Sequence, residues 1–243
     1  MYSFLTALFL NSAVYAQEIT AHEILERMDQ NMVFDTRSST TTMTVIRGSR
    51  VKTYQLISHG RGENQAAIEF LAPQRDRGTK MLKIDGELWM YTPDIERVSR
   101  ISGHMLRQGM MSSDFSYEDL METNHLTELY TATLAGEELL GDVPTYRLEL
   151  TSNEEDVAYP RRVMWIEQEH WIPIKQELYA GSGRLVKVWA MGAIQEFDGR
   201  WYPTAMRMDD AVESGSYTIV QFEDLRFSVE LEDEIFERRW LER

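Results

Sequence analysis

The sequence contains no cysteine. Disulfide bracing, thiol nucleophiles and thiol-linked lipid attachment are excluded for these residues, so stability must come from packing alone. Basic side chains are also in short supply, 25 Lys and Arg against 40 Asp and Glu, a net charge of −15. That balance repels phosphate backbones, and nucleic acid is not an expected partner. Histidine is sparse and scattered: none of His22, His59, His104, His125 and His170 has a second histidine three or four residues away. No Gly-x-Ser-x-Gly elbow, P-loop or dinucleotide fingerprint occurs. The expectation is therefore no metal, no cofactor, no catalytic residue and no enzyme. Asp114 and the Glu118-Asp119 pair are the carboxylates best placed for chemistry, but Asp114 and Ser116 read more simply as helix N-caps, with first-turn acids after them.

Long apolar runs are missing too, since spanning a bilayer as a helix takes about 20 such residues. Residues 2–16 carry no charge, Phe4 to Leu10 is a short apolar run, and Val14-Tyr15-Ala16 has the form of a cleavage site. Residues 1–16 are expected to be a signal peptide cleaved near Ala16, although no Lys or Arg precedes the apolar run. Residues 17–243 are then one exported domain.

What the chain does have is β-pattern. Thr20-Ala21-His22-Glu23 reads as a capping box opening one amphipathic helix with Ile24, Leu25, Met28 and Met32 on its stripe. Thirteen strand-like segments follow, from Ser39–Arg47 to Tyr217–Phe227, separated by short turns of which Asp85-Gly86 is the strongest hairpin signal. Short turns pair sequence neighbours antiparallel. Alternation places Leu82, Ile84, Leu88 and Met90 inward with Lys83 and Asp85 outward, and groups Tyr217, Ile219 and Leu225 on one face. The expected fold is mainly β with few helices, a curved antiparallel sheet buried on one face. The tail from Glu234 to Arg243, with Ile235, Phe236, Trp240 and Leu241, is expected to dock on the sheet.

The meander is interrupted by an insert, residues 103–124, carrying Met105, Leu106, Met110, Met111, Phe115, Leu120 and Met121, with Gly103 and Gly109 as hinge candidates. Loops of this length are usually functional or disordered, and disorder does not suit so many large apolar side chains. Methionine, 14 residues in all, is flexible and fits variable apolar partners.

The run Met81-Leu82-Lys83-Ile84-Asp85-Gly86-Glu87-Leu88-Trp89-Met90-Tyr91-Thr92-Pro93, then Arg97-Val98-Ser99-Arg100-Ile101-Ser102, then Gly103-His104-Met105-Leu106-Arg107-Gln108-Gly109-Met110-Met111 and Asp114-Phe115-Ser116-Tyr117-Glu118-Asp119-Leu120 resembles the outer-membrane lipoprotein-sorting protein family, the LolA-like periplasmic carriers. The remainder resembles it more loosely, in strand order and length. The resemblance implies a half-barrel whose concave face is closed by short helices with acyl chains between, no catalytic residue and no cofactor. It also implies handover between an inner-membrane exporter and an outer-membrane acceptor. The basic residue that such carriers use at the cavity mouth has no motif counterpart here.

The physics runs the same way. Each exposed acyl methylene costs about 0.8 kcal/mol in water, so one long chain costs on the order of 10 kcal/mol. A carrier needs a cavity that offsets most of this and a lid that releases the cargo. The expected cavity residues are Leu82, Ile84, Leu88 and Met90, with Met105, Leu106, Met110, Met111, Phe115 and Met121 on the lid. The rival readings are an adaptor of a membrane exporter, its interior packed solid, and an enzyme with a carboxylate pair in the cavity.

Overall fold

The computed structural model describes residues 19–121, 125–155 and 157–243. The expected signal peptide, 1–16, lies outside them. Thr20 caps the opening helix α1 (Ala21–Met32) as its sequence dictates: the Glu23 amide donates to Thr20 Oγ1 at 3.2 Å, and the Thr20 amide donates to Glu23 Oε2 at 2.8 Å. Six strands follow, β1 (Thr36–Arg47), β2 (Arg50–Arg61), β3 (Gln65–Ala72), β4 (Lys80–Ile84), β5 (Glu87–Thr92) and β6 (Arg97–Ile101). Seven more close the chain: β7 (Tyr130–Leu140), β8 (Val143–Ser152), β9 (Arg161–Glu167), β10 (Pro173–Tyr179), β11 (Leu185–Phe197), β12 (Arg200–Asp210) and β13 (Ser216–Phe227). Asp85 and Gly86, both at positive φ, make the tight turn between β4 and β5.

All thirteen strands join one antiparallel, unclosed, curved sheet in the order β6-β5-β4-β3-β2-β1-β13-β12-β11-β10-β9-β8-β7. The first strand pairs with the last in mid-sheet. β6 and β7, consecutive in sequence, become the two outer edges. The segment between them therefore runs from one edge to the other. It contains 3-10 turns at Gly103–Arg107 and Met110–Ser112 and the short helices α2 (Tyr117–Met121) and α3 (Leu126–Leu129).

Cross-strand partners point to the same face. Val45, Thr218, Met208, Trp189, Gln176, Met164 and Leu148 pair in turn across seven strands, tracing one continuous row. Both covers lie on this concave face. At the β7–β9 end, α1 buries Ile24, Leu25 and Met28 against Leu148, Met164 and Tyr202, and Asp29 ties it to α3 by accepting from the Thr127 amide and hydroxyl at 2.9 and 2.8 Å. At the β1–β6 end lies the segment from Gly103 to Met121.

Two sequence expectations about faces are corrected. Met81 pairs with Met90 and Lys83 with Leu88, so these four share the concave face, while Leu82, opposite Trp89, points the other way. There Leu82 and Ile84 pack against Phe236, Trp240 and Leu241 of the C-terminal segment, which docks on the convex side. The β4 strand is thus covered on both faces. On β13, Asp224 at φ 46° accompanies a register shift, which returns Leu225 to the concave side with α1 rather than leaving it with Tyr217 and Ile219.

Candidate functional site

The concave floor is made by alternate residues of β1, Ser39, Thr41, Met43 and Val45. Met43 stands between Tyr54 and Val220, and Thr41 between Leu56 and Phe222. The Ser39 and Ser58 hydroxyls hydrogen-bond each other at 2.8 Å, and Ser39 also bonds the Thr41 hydroxyl at 3.2 Å, so each of these small polar groups of the floor has a partner. Between this floor and the cover is a cavity of about 190 Å³ whose apolar lining includes Met43, Leu56, Ile68, Met110, Phe115 and Val220. Arg37, Ser116 and Asp119 are among its polar lining residues. Ligand pockets usually enclose about 300–1,000 Å³, whereas about 150 Å³ holds a benzene. In this form the space is large enough for a small apolar group and lies below the usual range of ligand pockets.

Polar fastenings hold the cover over its greasy underside. Asp114, its side chain 1% exposed, pairs with Arg47 at 2.5 Å and accepts from the Thr218 hydroxyl at 2.6 Å and the Ser216 hydroxyl at 3.3 Å. Arg47 also donates to the Ser112 carbonyl at 3.1 Å, and the Tyr54 hydroxyl to that of Met111 at 2.8 Å. Asp114 is therefore a clasp to β13 and not a helix cap. Capping falls to the Ser116–Asp119 pair: the Ser116 amide donates to Asp119 Oδ2 at 2.6 Å, and the Asp119 amide to Ser116 Oγ at 3.2 Å. Asp119 Oδ2 also receives Lys187 Nζ at 2.6 Å, and its Oδ1 the Tyr159 hydroxyl at 2.7 Å. Lys83, 6% exposed, donates to the Met121 carbonyl at 3.1 Å, and burial lowers its pKa. Met111 and Ser112 sit at φ 52° and 64°, left-handed backbone that ordinary side chains disfavour.

Of the residues expected at the cavity and lid, Met110 and Phe115 line the cavity, as does Leu120 of the same insert. Leu88, Met90, Met105, Leu106, Met111 and Met121 belong to the same apolar cluster beneath the cover but lie outside that lining. Leu82 and Ile84 are on the opposite face. Sequence reasoning missed the floor itself: Met43, Leu56, Ile68, Trp189, Met206 and Val220. The period-two pattern of β1 held the signal, masked by its serines and threonines.

Among the described residues Glu167, Glu169 and His170 bring possible metal-ligand atoms within 4.8 Å of one another. Glu167 already accepts the Glu169 and His170 amides at 2.6 and 2.7 Å, which closes the turn after β9.

A family model described as uncharacterized protein matches residues 62–243, more than half of the chain. No curated protein matches the sequence. Among solved structures, a DUF1329 family protein from Desulfovibrio piger is 29% identical with a TM-score of 0.85, covering 91% of this chain and 97% of its own. A protein from Vibrio parahaemolyticus, named for an outer membrane lipoprotein-sorting domain, is 24% identical with a TM-score of 0.83, covering 92% and 98%. A LolA superfamily protein from Nitrosomonas europaea is 24% identical with a TM-score of 0.76, covering 92% and 100%. The latter two establish likeness of fold.

Proposed function

We propose that this chain, which belongs to the family of that model and has the LolA-superfamily fold, binds acyl chains of a lipid or lipoprotein beneath its methionine-rich cover and carries them between membrane partners. One observation carries the reading: an apolar cavity lies between sheet and cover, where an adaptor packed solid would have none. The cover is held by a few buried polar contacts, Asp114 and Asp119 foremost, while its underside is otherwise apolar. Methionines suit that underside because they repack around chains of different shape. The work is carriage and not catalysis, with the periplasm as compartment and an inner-membrane exporter and outer-membrane acceptor as partners. Among the described residues no helix is long and apolar enough to cross a membrane.

The test is native mass spectrometry and solvent extraction of gently purified protein, together with titration of a fluorescent fatty-acyl probe. A bound lipid mass and saturable probe binding are expected. Protein that emerges lipid-free and leaves the probe in water overturns the proposal.

A further inference from the structure

Strand β1 gives the apolar cavity a polar end. Its concave-facing residues run Arg37, Ser39, Thr41, Met43 and Val45, grading from a cation through hydroxyls to apolar side chains. At about 3.3 Å per residue, Arg37 and Met43 stand about 20 Å apart along the strand. Both line the space beneath the cover. The same strand therefore offers a charged position, then a greasy one, in the order of an amphiphile's head and tail.

Arg37 is half-buried, and the partners of its guanidinium among the described residues are neutral. Nη1 donates to the Tyr202 hydroxyl at 3.1 Å, and the guanidinium carbon lies 4.8 Å from the Phe34 ring centre and 5.7 Å from that of Phe222. Nε is buried and has no hydrogen-bond acceptor, a costly state for a guanidinium N–H. The other charge lining the cavity, Asp119, is already matched by Lys187, the Tyr159 hydroxyl and the Ser116 amide. Arg37 has no such match.

With Nη1 on Tyr202, the edge of the guanidinium that remains is Nε with Nη2, two parallel N–H groups in one plane. A carboxylate accepts both at once. One guanidinium balances one negative charge, which suits a carboxylate better than a phosphate monoester with its charge of about −1.5 to −2. We infer that Arg37 holds the carboxylate head of a single long acyl chain, whose tail runs along β1 toward Met43 beneath the raised cover. This rests on the carrier reading and names its cargo class, a long-chain carboxylate. The rings of Phe34 and Phe222 hold the guanidinium plane in place before the head arrives. The chain's net charge of −15 disfavours anions in general, so the selection is local to Arg37.

The test titrates delipidated protein with a fatty acid, its methyl ester and a lysophosphatidic acid, all sharing one fluorescent chain. The acid is expected to bind about tenfold tighter than the ester, the worth of one charge-assisted contact. Arg37→Gln should bring that ratio to about one, and Arg37→Lys, which keeps the charge but not the planar fork, should leave it between the two. A carboxyl-labelled fatty acid bound to the wild type, followed by carbon NMR, should titrate at lower pH than the same acid in water, because the cation favours its ionised form. That measurement decides the matter if the variants fold poorly. Equal affinity for acid and ester, a ratio that survives Arg37→Gln, tighter binding of the lysophosphatidic acid than of the fatty acid, or a carboxyl that titrates no lower than in water would each overturn the inference. If the probes bind without preference, only the inference fails; if none binds, the carrier reading fails with it.

Discussion

Thr218 and Asp114 are bonded in both directions: the Asp114 amide donates to Thr218 Oγ1 at 3.0 Å, and the Thr218 hydroxyl donates to Asp114 Oδ2 at 2.6 Å. A carboxylate from the cover is thereby sunk into the floor of the sheet, with Arg47 closing over it. Replacing the carboxylate by an amide keeps the shape and removes the charge. Asp114→Asn is expected to lower stability by about 1–3 kcal/mol, a range reduced because Arg47 is 30% exposed. It should also accelerate hydrogen exchange in residues 103–121 more than in β8 and β9. Uniform acceleration throughout the chain would mean the contact serves global stability and not the cover.

The two faces of β4 and β5 should separate in mutagenesis. Leu82 is 0% exposed on the convex side, so Leu82→Ala should cost about 2–5 kcal/mol in denaturant unfolding. The folded fraction should still bind acyl probe with wild-type affinity. A changed affinity would put Leu82 in contact with cargo, against its position beneath the C-terminal segment.

Val220, on the cavity floor, gives the opposite result. A phenylalanine there has vacant volume to enter, so Val220→Phe should leave the melting temperature nearly unchanged while reducing probe binding several-fold. Undiminished binding would show that acyl chains lodge elsewhere.

Gly109 is required by proximity and not by an unusual backbone angle: a Cβ there would lie 2.3 Å from the Ser113 carbonyl oxygen. Gly109→Ala should break the short pairing of Gly109 with Ser116 and cost about 1–3 kcal/mol. Limited proteolysis should then cut within 103–121 first. Protection equal to wild type would refute this account of the turn.

Asp29 predicts a pH effect. Burial raises its pKa above the ordinary 3.8, opposed by the hydrogen bonds from Thr127. A carboxyl with a raised folded-state pKa binds protons more tightly in the native protein, so its ionisation opposes folding. Relative to Asp29→Asn, the wild type should be most stable below about pH 3.8, losing that advantage as pH rises through and beyond the folded-state value. Urea unfolding of both proteins at several pH values measures the difference. A wild type that instead gains on the variant with rising pH would invert the sign and reject the assignment.

Antiparallel pairing of neighbouring strands, the α1 capping box and the Asp85-Gly86 hairpin were readable because each rests on local spacing, whereas the pairing of β1 with β13 and the parting of β6 from β7 do not. The orientation of β4 was not: in Met81-Leu82-Lys83-Ile84 the lysine suggests the wet face, yet Lys83 is buried with its ammonium on the Met121 carbonyl. Apolar residues on both sides of that strand answer to two partners, the cover and the C-terminal segment, and period-two patterning cannot say which is which. Asp114 looked like a cap because its partner Thr218 is 104 residues away. The bulge at Asp224 likewise reversed the facing of Leu225 without a sequence signal. The methionines of the insert were conspicuous, whereas the floor beneath them was hidden among threonines.

Because the first and last strands meet at the centre, the chain running from Ile101 to Tyr130 joins the two rims of the sheet by a route outside the strand ladder. That tether is covalent and of fixed contour, so it limits how far the rims can part. On the carrier proposal, a bulkier cargo must either spread the rims until the tether tightens or raise it clear of the floor. Girth of cargo and length of tether are thus mechanically coupled, and shortening or lengthening this one stretch of chain would resize the container while leaving every strand intact.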